Sequence, residues 1–182
     1  AGFLNENPDM TLQTIEGDST FVKELLTDGK CDIAFLRSES SSVKEFNSIP
    51  YTIDYLTAVL PATHPLAKAD NLPFEQLRGE TFLLFPEHSF INDLCIRECR
   101  NAGFEPHVAY TGNRGATLID LVRNGAGITL MMHHSARQEN DSSLAFIPVT
   151  PGIYSYISLN YAKEKPLSPQ AEIFVRYVKA HK

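Results

Sequence analysis

The stretch from Thr14 to Leu36 constrains the fold more than any other, because it predicts two strands joined by one short helix. Gly17 permits a sharp turn into the helix, and Gly29 ends the helix in the left-handed conformation. The apolar positions of the three elements are Met10, Leu12 and Ile15, then Phe21, Val22, Leu25 and Leu26, then Ile33 to Leu36. Such a unit predicts parallel strands with a right-handed crossover, and ligands bind beyond the carboxyl ends of such strands.

The second half of the chain repeats this plan. Its parts are a strand at 108–111, a polar turn at 112–115, a helix with Leu118, Leu121 and Val122, and a strand at 128–132 after Gly125 and Gly127. Two such units predict an α/β fold of two Rossmann-like lobes joined by a strand hinge, with helix N-termini directed toward a shared cleft. The lobes are expected at residues 1–56 with 154–182 (lobe I) and at residues 57–153 (lobe II).

Strands and helices alternate along the rest of the chain, which favours mostly parallel sheets. Further strands are expected at residues 49–60, 81–85, 144–149 and 154–161. Helices are expected from Ile91 to Ala102, with Ser89 as cap, and from Pro169 onward, with Ser168 as cap. The first residues of the chain are typical of the last turn of a helix, which indicates a segment cut from a longer protein.

Composition excludes several classes of function. The chain has 182 residues, and its net charge of −6 comes without a cluster of Lys or Arg, so we do not expect this segment to bind nucleic acid alone. No apolar run approaches the ~18–20 residues that cross a membrane, and no secretory leader begins the chain. The three cysteines are an odd number without a disulfide pattern, which predicts a reducing cytoplasm.

Four stretches in the right order resemble one known family, the LysR-type transcriptional regulators, and specifically their effector-binding domain with its type 2 periplasmic-binding-protein-like fold. The resemblance covers residues 7–177. The four stretches are LLTDGKCDIAFLR (25–37), LTAVLPATHPLA (56–67), CRNAGFEPHV (99–108) and LVRNGAGITLMM (121–132). Members usually carry a proline after the last of these strands, where this chain has Met132-His133-His134.

The resemblance implies a sensor module rather than a complete regulator. In the family, a small and often anionic metabolite binds between the lobes and alters the assembly of a DNA-binding oligomer. DNA would be bound only through an N-terminal winged helix-turn-helix absent from this chain, and the full-length protein would be a homodimer or tetramer without membrane contact. Lobe I of the family has another strand and most of a helix before the point where this chain starts, so lobe I is expected to be N-terminally truncated.

Carried over to this sequence, the resemblance places the effector contacts in turns before helices. They are Gly17, Asp18, Ser19, Thr20 and Arg37 in lobe I, and Pro86, His88, Ser89, Phe90, Asn113, Arg114 and Gly115 in lobe II. Exposed N–H groups at a helix N-terminus stabilise an anion by roughly 0.3–1 kcal/mol. Arg37 and Arg114 could add bidentate contacts to a carboxylate. Asp18 would repel an anion unless it serves as the helix cap, so a zwitterionic or cationic ligand stays open.

Other chemistry has little support in the sequence. Cys95 and Cys99 lie on an apolar helical stripe and are expected to be small buried hydrophobes rather than a redox pair. His133 and His134 are adjacent, which does not favour a metal site. No nucleophile elbow, P-loop or dinucleotide-binding motif is present, so neither enzymatic activity nor a cofactor is expected. The alternative functions are the solute-binding component of a transporter with the same fold and, third, an enzyme on that fold.

Overall fold

The computed structural model describes residues 2–136 and 141–181. In chain order its elements are α1 (Gly2–Glu6), α2 (Ser19–Thr27), β1 (Ala34–Ser38), β2 (Phe46–Pro61), β3 (Leu72–Pro73), β4 (Thr81–Leu84), α3 (Phe90–Asn101), β5 (His107–Thr111), α4 (Gly115–Arg123), β6 (Thr129–Met132), α5 (His133–Ala136), β7 (Leu144–Thr150), β8 (Tyr154–Ala162) and α6 (Pro169–Ala180). The chain forms two compact units, unit 1 (Ala1–Ile53 with Ser155–Lys182) and unit 2 (Asp54–Tyr154).

Unit 1 is built on β8, which lies between β1 and β2. β1 and β8 are antiparallel, with Leu36 opposite Ser158. Apolar residues form two separate clusters, because successive side chains of a strand point to opposite faces. The first cluster contains Leu26, Ala34, Leu36 and Phe46, and the second contains Ile49, Leu159, Val175 and Val178. Unit 1 is therefore a small sheet with α2 packed on one face and α6 on the other.

The first expected strand does not form. Residues 10–18 are neither strand nor helix, and the side chains of Leu12 and Ile15 are 43% and 49% exposed. An extended segment becomes a strand only when a neighbour completes its hydrogen bonds, and within the described residues β1 pairs only with β8. The predicted parallel βαβ unit around α2 is therefore wrong, although its helix and its second strand are present.

Unit 2 combines antiparallel and parallel pairing. β2 is antiparallel to both β6 and β7, whereas β3 is parallel to β7. β4 is parallel to β5, and Phe82 of β4 also forms a parallel bridge to Ile128, next to β6. β5 and β6 thus run parallel, as the repeated plan predicts, and β4 lies between them. The α/β class is confirmed, but the expectation of mostly parallel sheets is wrong because β2, β7 and β8 pair in antiparallel fashion.

The core of unit 2 lies on both faces of these strands. Leu84 and Leu130 pack in a cluster with α3, whereas Leu83 and Met131 pack in a cluster with α4. Cys95 and Cys99 of α3 are fully buried in the first cluster, where burial raises the pKa of the Cys99 thiol to about 12. Both cysteines are free thiols, as expected of small core residues.

Candidate functional site

The turn before α2 is closed by its own carboxylate. Asp18 is the N-cap, and its Oδ1 accepts hydrogen bonds from the backbone N–H groups of Thr20 at 2.9 Å and Phe21 at 3.0 Å. The ring of Phe21 packs over Gly17, so a side chain at this position would have to displace that exposed ring. The sequence left open whether Asp18 serves as the helix cap, and the structure shows that it does. Its carboxylate therefore already occupies two N–H groups that a bound anion would need.

Arg37 lies at the end of β1 and is held at both its backbone and its side chain. Its backbone N–H donates to Ser19 Oγ at 3.3 Å, and its Nη1 donates to Ser155 Oγ at 2.6 Å. Unit 1 thus brings the five residues predicted there into one place, where the N-terminus of α2 meets the end of β1. Sequence reasoning missed Ser155, because no local pattern connects it to Arg37 across 118 residues.

In unit 2 the turn before α3 is also capped internally. Ser89 is the N-cap, and its Oγ accepts from the N–H of Asn92 at 3.3 Å and donates to the carbonyl of Pro86 at 2.7 Å. His88 has a φ of 65°, a left-handed conformation that is uncommon for a residue other than glycine. The four residues predicted in this turn (Pro86, His88, Ser89 and Phe90) therefore lie in one corner that is closed by the hydrogen bonds of Ser89.

Asn92 is a second residue that sequence reasoning missed. Its side chain is buried, and its Nδ2 donates to the carbonyl of Phe85 at 2.8 Å, so it joins the end of β4 to the first turn of α3. Asn92 is three residues after the Ser89 cap, but its side chain bonds to Phe85 seven residues earlier, so no capping signature in the sequence identifies it. The side chain that holds this corner in place is therefore Asn92.

The turn before α4 has no such closure. Arg114 occupies the N-cap position, but no side chain caps this helix. Its carbonyl accepts from the N–H groups of Thr117 and Leu118, whereas those of Gly115 and Ala116 make no hydrogen bond within the described residues. In the same part of the chain, the exposed side chains of Asn113 and Arg114 form neither a hydrogen bond nor an ion pair. Two N–H groups and a guanidinium are thus available to an acceptor.

Contacts at Gly115 show that the two turns of unit 2 are neighbours. A Cβ at Gly115 would lie 3.7 Å from the ring of Phe85 and 4.0 Å from Met131 Cε. The backbone N–H of Gly112 donates to the carbonyl of Leu84 at 3.0 Å. The seven residues predicted in unit 2 therefore lie together where β4 and β5 end, beyond the carboxyl ends of two parallel strands.

The two adjacent histidines are used structurally. His133 stacks on Tyr55 with ring centroids 4.3 Å apart, and its Nδ1 lies 3.3 Å from Thr57 Oγ1. The backbone N–H of His134 donates to the buried carboxylate of Asp54 at 3.1 Å. Within the described residues no three His, Cys, Asp or Glu side chains form a group that could hold a metal, and no helix there is long and apolar enough to cross a membrane.

Comparison with known proteins identifies one family. The family described as LysR substrate binding domain matches residues 1–182. The transcriptional dual regulator GltC of Bacillus subtilis (strain 168) is 26% identical over 179 residues, which is 98% of this chain and 60% of that protein. The uncharacterized HTH-type transcriptional regulator YwbI of the same organism is 27% identical over 99% of this chain and 60% of its own length. The chain thus spans about 60% of the relatives it matches.

Solved structures share the fold. The regulatory domain of CcmR from Synechocystis PCC6803, in complex with 2-PG, superposes with a TM-score of 0.88 at 16% identity and covers 99% of this chain and 87% of that one. The effector binding domain of QuiR, in complex with shikimate, gives a TM-score of 0.79 at 20% identity and covers 99% and 88%. At these identities the likeness establishes the type 2 periplasmic-binding-protein-like fold alone.

Proposed function

The chain belongs to the family of LysR substrate-binding domains, as its four sequence stretches predicted, and from this we propose that it binds a small anionic metabolite as its effector. The chain is then the sensing part of a LysR-type transcriptional regulator. The candidate contacts are the residues predicted from the sequence, those of the α2 turn with Arg37 in unit 1 and those of the α3 and α4 turns in unit 2.

The N-terminus of α4 is the observation that carries the anionic class. Gly115 and Ala116 present N–H groups without a partner in the described residues, and Arg114 adds a positive charge at the same helix end. Unpaired N–H groups at a helix N-terminus together with a guanidinium are suited to a carboxylate or a phosphate. CcmR was solved in complex with 2-PG and QuiR in complex with shikimate, and both share this fold. These two acidic compounds are therefore the first to try.

The proposed mechanism is a shift between conformational populations. Effector binding favours one arrangement of the domain, and this changes how subunits of the full-length regulator, a homodimer or tetramer, assemble on DNA. A coupling free energy of about 1–3 kcal/mol gives a 5- to 150-fold response. In this proposal an N-terminal winged helix-turn-helix outside this chain contacts the DNA, and the regulator acts in the cytoplasm. Solution scattering that is unchanged by a bound effector would contradict this mechanism.

The relatives support a regulator over the other classes considered. GltC and YwbI carry the names of transcriptional regulators, not of enzymes or transport components. A transporter component would require a secretory leader upstream of this segment, and an enzyme would require turnover of the bound compound.

A thermal-shift screen against sulfate, phosphate, shikimate, 2-PG and other carboxylates tests the proposal. A ligand at a hundred times its Kd stabilises by about 2.7 kcal/mol, which for a chain of this size raises Tm by about 5–10 °C. Arg114→Ala should reduce the shift. Arg176→Ala is the matched control, because Arg176 is also exposed and makes no hydrogen bond or ion pair within the described residues. Equal loss of the shift in both variants would contradict a specific role for Arg114.

A further inference from the structure

We propose that Ser155 is a positioning residue that holds the Arg37 guanidinium for an acidic group of the effector. This inference rests on the proposed function and adds to it a residue outside the predicted turns. Ser155 is fully buried, and it is the residue at which the chain re-enters unit 1 at the start of β8. Its Oγ accepts a hydrogen bond from Arg37 Nη1 at 2.6 Å, a short distance for a charged donor.

The strand register explains why the contact partner is Ser155. Arg37 is opposite Ile157 and Ser38 is opposite Tyr156, so Ser155 is the next residue of β8, just past the last pair of this ladder. To reach it, the Arg37 side chain runs along β8 toward the start of that strand. Sheet pairing therefore fixes where the guanidinium lies, and the buried hydroxyl fixes how it is oriented.

Both ends of Arg37 are then restrained before any ligand arrives. The backbone N–H is bound to Ser19 Oγ at the N-terminus of α2, and the guanidinium is bound to Ser155 Oγ. An arginine side chain loses considerable rotamer freedom when a ligand immobilises it, and an arginine that is already fixed avoids that cost. A serine hydroxyl supplies this restraint as a neutral hydrogen-bond acceptor. Ser155 thus pre-organises Arg37 for an anion.

The chain contains a matched control in the same strand. Ser158 is also fully buried in β8, and its Oγ accepts a hydrogen bond from Asn160 Nδ2 at 3.0 Å. Ser158→Ala and Ser155→Ala each remove one buried acceptor from β8. Only Ser155→Ala removes a partner of Arg37.

The test is a double-mutant cycle on the 182-residue chain, with Kd measured by calorimetry for sulfate, phosphate, shikimate and 2-PG. For a compound that binds the wild-type chain, Ser155→Ala should raise Kd about five- to tenfold. In the Arg37→Ala background the same change should have no further effect, because Ser155 acts through Arg37. Ser158→Ala should leave Kd within about twofold of the wild-type value in both backgrounds.

A measurement without ligand separates this inference from the proposed function. The Nη–H resonances of Arg37 in a ¹⁵N–¹H spectrum recorded at low temperature should show one proton protected from exchange in the wild-type chain and in Ser158→Ala, and should lose that protection in Ser155→Ala. An unchanged resonance in Ser155→Ala overturns the positioning role whatever binds. If Ser155→Ala loses the exchange protection but keeps the wild-type Kd, Ser155 has no role toward the effector. The same follows if the effects of Ser155→Ala and Arg37→Ala on Kd are additive. If no compound binds the wild-type chain, the proposed function fails, and the effector role of Ser155 fails with it.

Discussion

The turns before α2 and α4 follow one plan in sequence, yet they have opposite electrostatic character. Each places a glycine-bearing polar turn before a helix of nine residues. In unit 1, Asp18 caps α2 with its own carboxylate, so a negative charge of the protein occupies the helix N-terminus. In unit 2, Arg114 stands at the cap position of α4 and leaves the first N–H groups unpaired within the described residues. The comparison shows that similar elements can be closed by the chain or left available to a ligand.

The largest expected effect on stability comes from truncating a buried side chain of α4. The same truncation in residues 10–15, which form no strand, should have little effect. Leu118 of α4 is fully buried beside Val59 and Leu83, so Leu118→Ala should lower the free energy of unfolding by about 2–5 kcal/mol. Leu12→Ala, at an exposed position in the expected first strand, should change it by no more than about 0.5 kcal/mol. Urea unfolding measures both. A large loss in the Leu12 variant would show that residues 10–15 are packed in solution.

Removing the Asp18 carboxylate leaves α2 without a side-chain cap, as α4 already is. Asp18→Ala should lower the free energy of unfolding by about 1 kcal/mol, because Thr20 and Phe21 lose their acceptor. Asp18→Asn keeps an acceptor oxygen and should lose less. Urea unfolding with and without sulfate checks a second expectation, that sulfate stabilises the Ala variant more than the wild-type chain. An equal sulfate response would contradict the view that Asp18 occupies the N–H groups of α2 to which an anion would otherwise bind.

The reverse change closes the turn of unit 2. Arg114 already has the extended backbone of an N-cap, with φ −112° and ψ 114°, so Arg114→Asp should provide the missing acceptor. We expect the ligand-free variant to gain about 0.5–1 kcal/mol of stability and to lose the thermal shift with acidic compounds. Arg114→Ala should reduce the shift without the gain in stability. A retained shift in the Asp variant would remove α4 from the anion site.

The smallest expected effect concerns the other end of α4. Arg123 Nε donates to Asp141 Oδ2 at 2.6 Å, and hydrogen bonds from Ser143, together with Arg123, lower the pKa of Asp141 to about 2. Because this pKa is depressed in the folded state, the stabilisation is complete above the unfolded value of about 3.9 and is lost as pH falls toward 2. Asp141→Asn should therefore be less stable than the wild-type chain at pH 7, and the difference should shrink between pH 4 and 2.

Thermal unfolding across that pH range measures the difference between the two proteins. Asp120→Asn serves as a comparison, since Asp120 also pairs with Arg123 but is more exposed. A difference that stays constant from pH 7 to pH 2 would contradict the assignment to Asp141.

Helices and their ends were largely predictable because their signals are local. Ser89 and Ser168 cap α3 and α6 as expected, each accepting from the N–H three residues later. Gly29 ends α2 with a φ of 68°, and the next N–H donates to the carbonyl of Leu25 at 2.9 Å. Every group in these motifs lies within six residues of its partner, so the sequence contains all of the required chemistry.

The sequence by itself determined the α/β class, the family, the helix boundaries and the polar turns that hold the candidate contacts. The tertiary structure decided that residues 10–15 form no strand, that the sheets are mixed, that Asn92 binds the carbonyl of Phe85, and that Ser155 binds the guanidinium of Arg37. These features depend on partners distant in sequence, such as the 118 residues between Arg37 and Ser155. Strand pairing and buried side-chain contacts are chosen by which surfaces meet after folding, and no local pattern encodes that choice.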